Sequence, residues 1–569
     1  MPIWQFAIGD INLDMCIWME AGANTSYIAY RLKRNLLNPE RKLQLQIKLL
    51  INARDHHGNT SPRNLNPVLE TGSNQLKVSF PDWFTSYFKT CGGVITKEQQ
   101  WIENFDLSLE RERSLPDRDN HLCVGHATLD LFPMEWVGIT ASLHSNASTD
   151  LDEAMKRFQS RDIALLSTAK SGIPEMKDAP EWINQLILAA DSFLFARPLP
   201  DFPDGESIIA GYPWFGDWGR DTMIALPGIT LSTGRYSKAK NILNTFARFI
   251  DQGMLPNMFP GKGENQEYNT VDAALWYIEA WRAYVEISRD EVALKDVFGV
   301  LEEIIGWYEK GTRYQIHMDN KDGLIYAGET GVQLTWMDAR IGEWVVTPRI
   351  GKNVEINALW YNALKTMEQF ALQVGVSSMR YHEMAKKTRK GFNRFLNPEN
   401  GGLYDLLDGP NGNDASIRPN QIFTVSLFYS PLDKSAQAGI VSLCGRVLLT
   451  SYGLRSLAPT HPDYHPYYIG GVLQRDSAYH QGTVWTWLLG HYALAEFRVT
   501  GDAREAQKRL EPIKDHLSDA GLGTVSEIFD ASPPYYPRGC PAQAWSVACI
   551  LDAWLRLEKV IKAESKGEE

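Results

Sequence analysis

The feature that most constrains this chain is a change in the period of its apolar residues around residues 165–175. Before it, apolar and polar residues alternate. Examples are Ser26-Tyr-Ile-Ala-Tyr-Arg-Leu32, Lys42-Leu-Gln-Leu-Gln-Ile-Lys48, Gln75-Leu-Lys-Val-Ser-Phe80 and Trp136-Val-Gly-Ile-Thr-Ala-Ser-Leu143. Successive strand side chains face opposite sides of a sheet, so alternation of this kind buries one face of antiparallel strands. Turn residues at His57-Gly-Asn59 and Cys91-Gly-Gly93 separate the runs. After the change, Trp182, Leu186, Ala190 and Phe193 recur at helical spacing, as do Ile242, Phe246 and Phe249. Stretches near 222–232, 270–288, 291–312, 354–374, 377–396, 419–429, 433–449, 481–500, 503–519 and 541–562 bring the expectation to about twelve helices. A solenoid would show a repeat of about 30–45 residues, and none is visible. The expected fold class is therefore mainly α with β. An N-terminal antiparallel β-sandwich occupies 1–165, and an (α/α)6 toroid of six closed helical hairpins occupies 175–562.

Composition narrows the ligand. The 569 residues carry a net charge of −12, which excludes a general nucleic-acid binder and an anionic-membrane protein. Eighteen Trp accompany 23 Tyr and 22 Phe. Acidic and aromatic residues together suit a sugar, whose apolar faces stack on rings while carboxylates bind its hydroxyls; the alternative is that the rings only fill a core. Six cysteines show no CxxC pair and no zinc-like spacing, so they read as reduced thiols and no metal site is expected. No basic-then-apolar leader and no membrane span is visible, so the expected location is cytoplasmic. The sequons at Asn24, Asn59 and Asn146 then read as chance matches.

The unusual chemistry lies in the loops between helices. Gly211-Tyr-Pro-Trp-Phe-Gly-Asp-Trp-Gly-Arg-Asp-Thr222 places Trp214, Trp218, Arg220 and Asp221 just before a helix. Asp221 is either a ligand anchor or a helix cap paired with Arg220. Leu334-Thr-Trp-Met-Asp-Ala-Arg340 sets Asp338 behind Trp336 and Met337, which would desolvate a carboxyl and raise its pKa. Arg340 and Arg349 would lower it if they pair with it, so the sign stays open. His480, Gln481 and Trp485 follow in Arg475-Asp-Ser-Ala-Tyr-His-Gln-Gly-Thr-Val-Trp-Thr-Trp487. His480 has no second ligand at metal spacing and reads equally as a buried, hydrogen-bonded histidine. Glu527 sits among Val525, Ile528 and Phe529, surroundings that argue against a solvated surface glutamate. Paired carboxylates with aromatic walls are what glycosidic hydrolysis needs, one protonating the leaving oxygen and one activating water. No GxSxG elbow, Walker loop or GxGxxG–helix pattern competes, and Gly261-Lys-Gly263 is too short to cradle phosphate.

Trp218-Gly-Arg-Asp-Thr222, Trp336-Met-Asp338, Thr347-Pro-Arg349, Tyr479-His-Gln-Gly-Thr-Val-Trp485, Ser526-Glu527 and Gln543-Ala-Trp545 resemble, in order, the amylo-α-1,6-glucosidase family over about residues 170–560. Met19-Glu-Ala-Gly-Ala-Asn-Thr25 resembles the later half of that family's N-terminal sandwich. The resemblance implies an inverting glycosidase that removes glucose from α-1,6 branch stubs of glycogen, limit dextrin or branched maltodextrin. It implies Asp338 as general acid and Glu527 as general base. Trp218, Arg220, Asp221, Trp336, His480, Gln481 and Trp485 would bind substrate, with Asn269 and Asp272 less firmly carried over. No metal or organic cofactor, nucleic acid or membrane partner is implied, and the oligomeric state stays open. Two departures stand out: the earlier sandwich strands usual in stand-alone relatives are not found, which leaves the sandwich's completeness open, and a glucanotransferase half is missing. The competing readings are a glucoamylase- or trehalase-like exo-glucosidase, a glycoside phosphorylase, and an inactive glycan-binding protein.

Overall fold

A computed structural model describes residues 1–35, 43–54, 58–62, 65–259 and 266–567. Lys42, the turn residue His57 and Gly261-Lys-Gly263 lie outside the described residues. The chain divides into two compact units, 1–164 and 165–569.

Among its described residues the first unit has ten strands: β1 (Ile3–Ile8), β2 (Ile11–Met19), β3 (Thr25–Asn35), β4 (Leu43–Ile51), β5 (Val68–Thr71), β6 (Gln75–Phe80), β7 (Phe84–Cys91), β8 (Gly93–Asp106), β9 (Arg118–Leu131) and β10 (Trp136–Ser142). Seven form an antiparallel sheet in the order β1-β2-β3-β10-β7-β6-β5, and three form a second in the order β4-β9-β8. The alternation seen in sequence is what closes them face to face. Leu76, Val78 and Ile139 of the large sheet share one core cluster with Leu122, Val124 and Ala127 of the small one. A buried ladder of this kind is sandwich-like.

The second unit is helical. Gly219–Ile229 packs on Ala273–Ser288, which packs on Val354–Val374, which packs on the short helix Phe423–Ser426. That element packs on Trp487–Thr500, which packs on Ala544–Gly567, which packs again on Gly219–Ile229. Further helices lie against these: Glu181–Ser192 and Ala503–Lys508 on Ala544–Gly567, Tyr236–Ala247 on Ala273–Ser288, Glu291–Lys310 and Met379–Phe392 on Val354–Val374, and Lys434–Val447 on Trp487–Thr500. Trp276, Trp281 and Trp360 are buried in this core. With Trp18, Trp336, Trp485, Trp487, Trp545 and Trp554 also buried, half of the eighteen tryptophans serve packing, at roughly 25 cal/mol per Å² of apolar surface removed from water.

Three boundaries differ from the periodicity. The helix Leu151–Gly172 lies where strands were expected to run on. Its apolar stripe, Leu151, Ala154, Met155 and Phe158, is narrow in an otherwise polar segment, and Asp150 caps it by accepting from Glu153 N at 2.9 Å. The stretch 503–519 splits into Ala503–Lys508 and Ile513–Asp519 around Pro512, which disfavours helical geometry at its predecessor. The stretch 481–500 becomes helical only from Trp487, because Val484–Trp485 pairs as a strand with Ile528–Phe529. Among the described residues no helix is long and apolar enough to cross a membrane.

Candidate active site

The six successively packed helices each carry a sequence cluster at or just before their N-termini. Trp218, Arg220 and Asp221 open Gly219–Ile229; Asn269 and Asp272 precede Ala273–Ser288; Asp338, Arg349 and Glu355 lead into Val354–Val374. Arg418 and Asn420 precede Phe423–Ser426, His480, Gln481 and Trp485 precede Trp487–Thr500, and Glu527 and Gln543 precede Ala544–Gly567. Helix N-termini carry partial positive charge and unpaired N–H groups, so this end of the unit tolerates a concentration of carboxylates.

Asp338 and Glu527 occupy contrasting surroundings. Asp338 follows the buried Trp336 and Met337 and keeps 28% of its side chain exposed. Its Oδ2 accepts from Arg220 Nη1 at 3.1 Å, and His480 Nε2 stands 3.6 Å from Oδ1. Burial pushes the Asp338 carboxyl up, but His480 and Arg220 outweigh it and hold it below its ordinary value. Burial also lowers the His480 pKa. The lasting support of the Asp338 charge is therefore the guanidinium, which keeps its proton. Arg340 and Arg349, the neighbours that the sequence offered, pair elsewhere: Arg340 with Glu343, Arg349 with Glu355 and Asp405.

Glu527 is buried, and its carboxylate accepts from the Tyr479 hydroxyl on Oε1 and from Cys540 N on Oε2 at 2.9 Å. Gly539 has φ +65°, and a Cβ there would collide with Oε2, so only glycine allows the chain to bring Cys540 N–H to this carboxylate. Burial pushes the Glu527 carboxyl up to about 7, against both hydrogen bonds and with a further push from Asp338. Asp221, in the first turn of its helix, is also driven to about 7, mainly by burial, with Asp338, Glu527 and Asp272 adding to it against Arg220. The mutual repulsion shows that these carboxylates share one electrostatic environment.

The other sequence candidates fall into two groups. Arg220 is a strut. Its Nε meets both Asp272 oxygens at 2.8 Å, Nη1 meets Asp338, and Nη2 meets Thr270 Oγ1 and Leu334 O at 3.3 Å, which leaves at most one of its five N–H donors for a ligand. Its ion partners are thus Asp272 and Asp338. Trp336 and Trp485 are almost fully buried. Trp336 is edge-on to His480 and Trp485, while Trp485 stacks on His480 at 4.8 Å and 11°. They form a packed aromatic cluster with His480, whereas Trp218 is half-buried. Gln481 Oε1 accepts from Arg418 at 2.6 Å, and His480 is buried with neither ring nitrogen hydrogen-bonded to a described residue.

Sequence reading missed the residues that hold these. Tyr479 lay inside a quoted motif without a role, yet it grips Glu527. Asn420 accepts from Trp336 Nε1 at 2.7 Å and donates to Asp405 at 2.8 Å, and Asp405 pairs with Arg349. Nothing local marks Asp405 or Asn420, because the residues they hold, Arg349 and Trp336, are 56 and 84 residues away. Some buried polar atoms of these same segments have no hydrogen-bond partner among the described residues: Asn269 Oδ1, Thr486 Oγ1, Trp487 Nε1, Gln543 Oε1 and Trp545 Nε1. Unpaired donors and acceptors suit a hydroxyl-bearing ligand better than an apolar one.

Comparison with known proteins agrees with this chemistry. Residues 188–552 match the family model described as amylo-alpha-1,6-glucosidase, and residues 1–138 match that described as glycogen debranching enzyme N terminal. The glycogen debranching enzyme of Saccharomyces cerevisiae is 27% identical over 469 residues, covering 62% of this chain. The alignment covers only 30% of that relative's length. Among solved structures, a bacterial glucoamylase complexed with acarbose superposes with a TM-score of 0.61 at 12% identity, covering 97% of this chain and 82% of the other. That likeness concerns the fold.

Proposed function

The chain belongs to the amylo-α-1,6-glucosidase family, and from that premise we propose that it is a glycoside hydrolase releasing glucose from α-1,6 branch stubs of glycogen or related branched α-glucans. The observation that carries this reading is the coupled set Asp338, Glu527 and Asp221 at one end of the helical unit. We read the ring of packing helices as an (α/α)6 toroid, with this end as its catalytic mouth. The reading is supported by the glucoamylase likeness of the fold.

In this mechanism Asp338 protonates the glycosidic oxygen while Glu527 takes a proton from the attacking water on the opposite face, which inverts the anomeric centre. Tyr479 and Cys540 N–H each occupy one Glu527 oxygen and aim the remaining lone pairs. Trp218 offers a stacking surface, and Asp221 anchors sugar hydroxyls. A bound sugar removes the solvent left on Asp338 and pushes its carboxyl up, the direction an acid requires.

One observation favours exchanged roles. In the unliganded site Glu527 holds its proton to about 7 while Asp338 is held low, so Glu527 would be the acid and Asp338 the base. α-Glucosyl fluoride separates the two, because fluoride leaves without protonation. If Asp338→Asn hydrolyses the fluoride but not branched dextrin, Asp338 is the acid; if Glu527→Gln does so, the roles are exchanged. Near-normal dextrin hydrolysis by either variant removes that residue from the mechanism, and first release of α-glucose excludes inversion. Glucose from panose or isomaltose rather than maltotriose or trehalose supports the α-1,6 preference over the glucoamylase- and trehalase-like readings. A requirement for inorganic phosphate would instead make the enzyme a phosphorylase. Dextrin binding without glucose release would make it a glycan-binding protein.

A further inference from the structure

In the β unit, strands β8 and β9 both lose register at the same level. Lys97 opposes Gly125 and Gln100 opposes Cys123, so Glu98 and Gln99 stand against Val124 alone. On the other side of β9, Leu49 opposes Gly125 and Leu50 opposes Cys123, which leaves Val124 without a partner on β4. The bulge switches the phase of β9. Core residues are even-numbered up to it (Leu122 and Val124) and odd-numbered beyond it (Ala127, Leu129 and Leu131). Cys123 and His126, three apart and therefore on opposite faces of a regular strand, come to share the face away from those core residues. The extra residue Glu98 of β8 joins them there. Its Oε2 accepts from Cys123 Sγ at 3.3 Å and contacts His126 Nε2. The Sγ, Nε2 and carboxylate oxygen all lie within 4.8 Å of one another, the only such mixed donor group among the described residues.

We propose that Glu98, Cys123 and His126 form a binding site for a zinc-type divalent transition-metal ion. Thiolate, imidazole and carboxylate are the donor set of borderline ions, not of calcium or magnesium, which take oxygen ligands. Donors bound at about 2.0–2.3 Å stand about 3.3–3.8 Å apart in a tetrahedron, so small side-chain rotations seat the ion. Binding replaces the Cys123 thiol proton, which leaves to solvent, and uses the Nε2 lone pair of neutral His126. The ion's two charges are then balanced by thiolate and carboxylate. Glu98 and His126 keep 33% and 22% of their side chains exposed, which gives the ion access and a water as fourth ligand. Burial and the Glu98 charge raise the thiol of Cys123, and a cation reverses the second effect. Lys48, opposite His126 on β4, brings a positive charge to Glu98 and sets a limit on affinity.

The test is cobalt titration of the full chain after dialysis against a chelator. The expected result is a near-ultraviolet thiolate-to-cobalt absorption that saturates at one ion per chain and is abolished by one equivalent of zinc. Cys123→Ser should lose the band. His126→Gln and Glu98→Gln should bind cobalt at least about tenfold more weakly, and zinc should raise the melting temperature of the unsubstituted protein alone. Absence of the band overturns the proposal, as does a band that persists in Cys123→Ser, which would place the thiolate elsewhere. Because Glu98 is partly exposed, Glu98→Gln keeps the test open should Cys123→Ser fail to fold.

Discussion

Two segments of the helical unit hold carboxylates to opposite ends of their range with different devices. The loop 334–349 leaves Asp338 partly in water and sets it on a fixed guanidinium, so its charge is stabilised. The segment 525–545 buries Glu527 behind Gly539 and offers it only neutral donors, a phenol and a backbone amide. At Glu527 two neutral donors do not outweigh the lost solvent, whereas at Asp338 His480 and Arg220 together do. Asp221 marks the limit, since burial drives it up even against Arg220, so each carboxyl's proton affinity is set by the balance between lost solvent and the charge that faces it.

The largest way to break this contrast is to neutralise each carboxylate. Asp338→Asn and Glu527→Gln should each lower turnover of branched dextrin by about 10²–10⁴-fold. Unequal rescue on α-glucosyl fluoride then tells which side of the contrast supplies the proton. Next is the support beneath Trp336: Asp405→Ala removes one of the two carboxylates that hold Arg349 and the acceptor of the Asn420 amide in the interior, and should cost about 1–3 kcal/mol in urea unfolding. Asp405→Asn, which keeps the shape, should also be destabilising.

Stability against pH reports the burial of Glu527 directly. Folded, it holds its proton to about 7; its ordinary value is 4.5. The stabilisation from this group is fully present below pH 4.5 and is lost as pH rises through 7, by up to about 3 kcal/mol. Glu527→Gln should therefore melt above the unsubstituted protein at pH 8, with the gap closing toward pH 4.5. A constant gap across that range would mean that Glu527 is not buried as an acid. Tyr479→Phe sharpens the contrast further. Removing the phenol takes away a bond that lowers the Glu527 pKa, so the acid limb of kcat/KM should move upward by about 1–2 units, the worth of one charge-assisted bond. An unmoved profile would make Tyr479 merely structural. As the smallest effect, breaking the exposed pair Arg380–Glu309 (2.5 Å) should change stability by no more than about 1 kcal/mol.

The legible part of this protein is what local sequence controls. Alternation in Gln75–Phe80 and helical spacing at Trp182, Leu186 and Ala190 name their elements because burial follows the geometry of each element. The helix Leu151–Gly172 escaped because its apolar stripe is short, though Asp150 marks its cap. In the site, Asp338 and Glu527 stood out by their aromatic and apolar neighbours. Arg220's service to Asp338 and Asp272, and Tyr479's to Glu527, did not, because each bond spans dozens of residues. Cys123 and His126 were hidden in another way: only a bulge puts a three-residue spacing on one face of a strand.

By itself the sequence determined the change from strand to helical periodicity, the loops in which carboxylates and aromatic residues cluster, and the residue types available there, since periodicity and polarity are properties of neighbours along the chain. Only the tertiary structure decided which charge meets which carboxylate, which tryptophans are buried and which is half-buried, and which carboxyl is pushed up by burial. Those depend on distances and dielectric surroundings that exist only when remote segments close on one another.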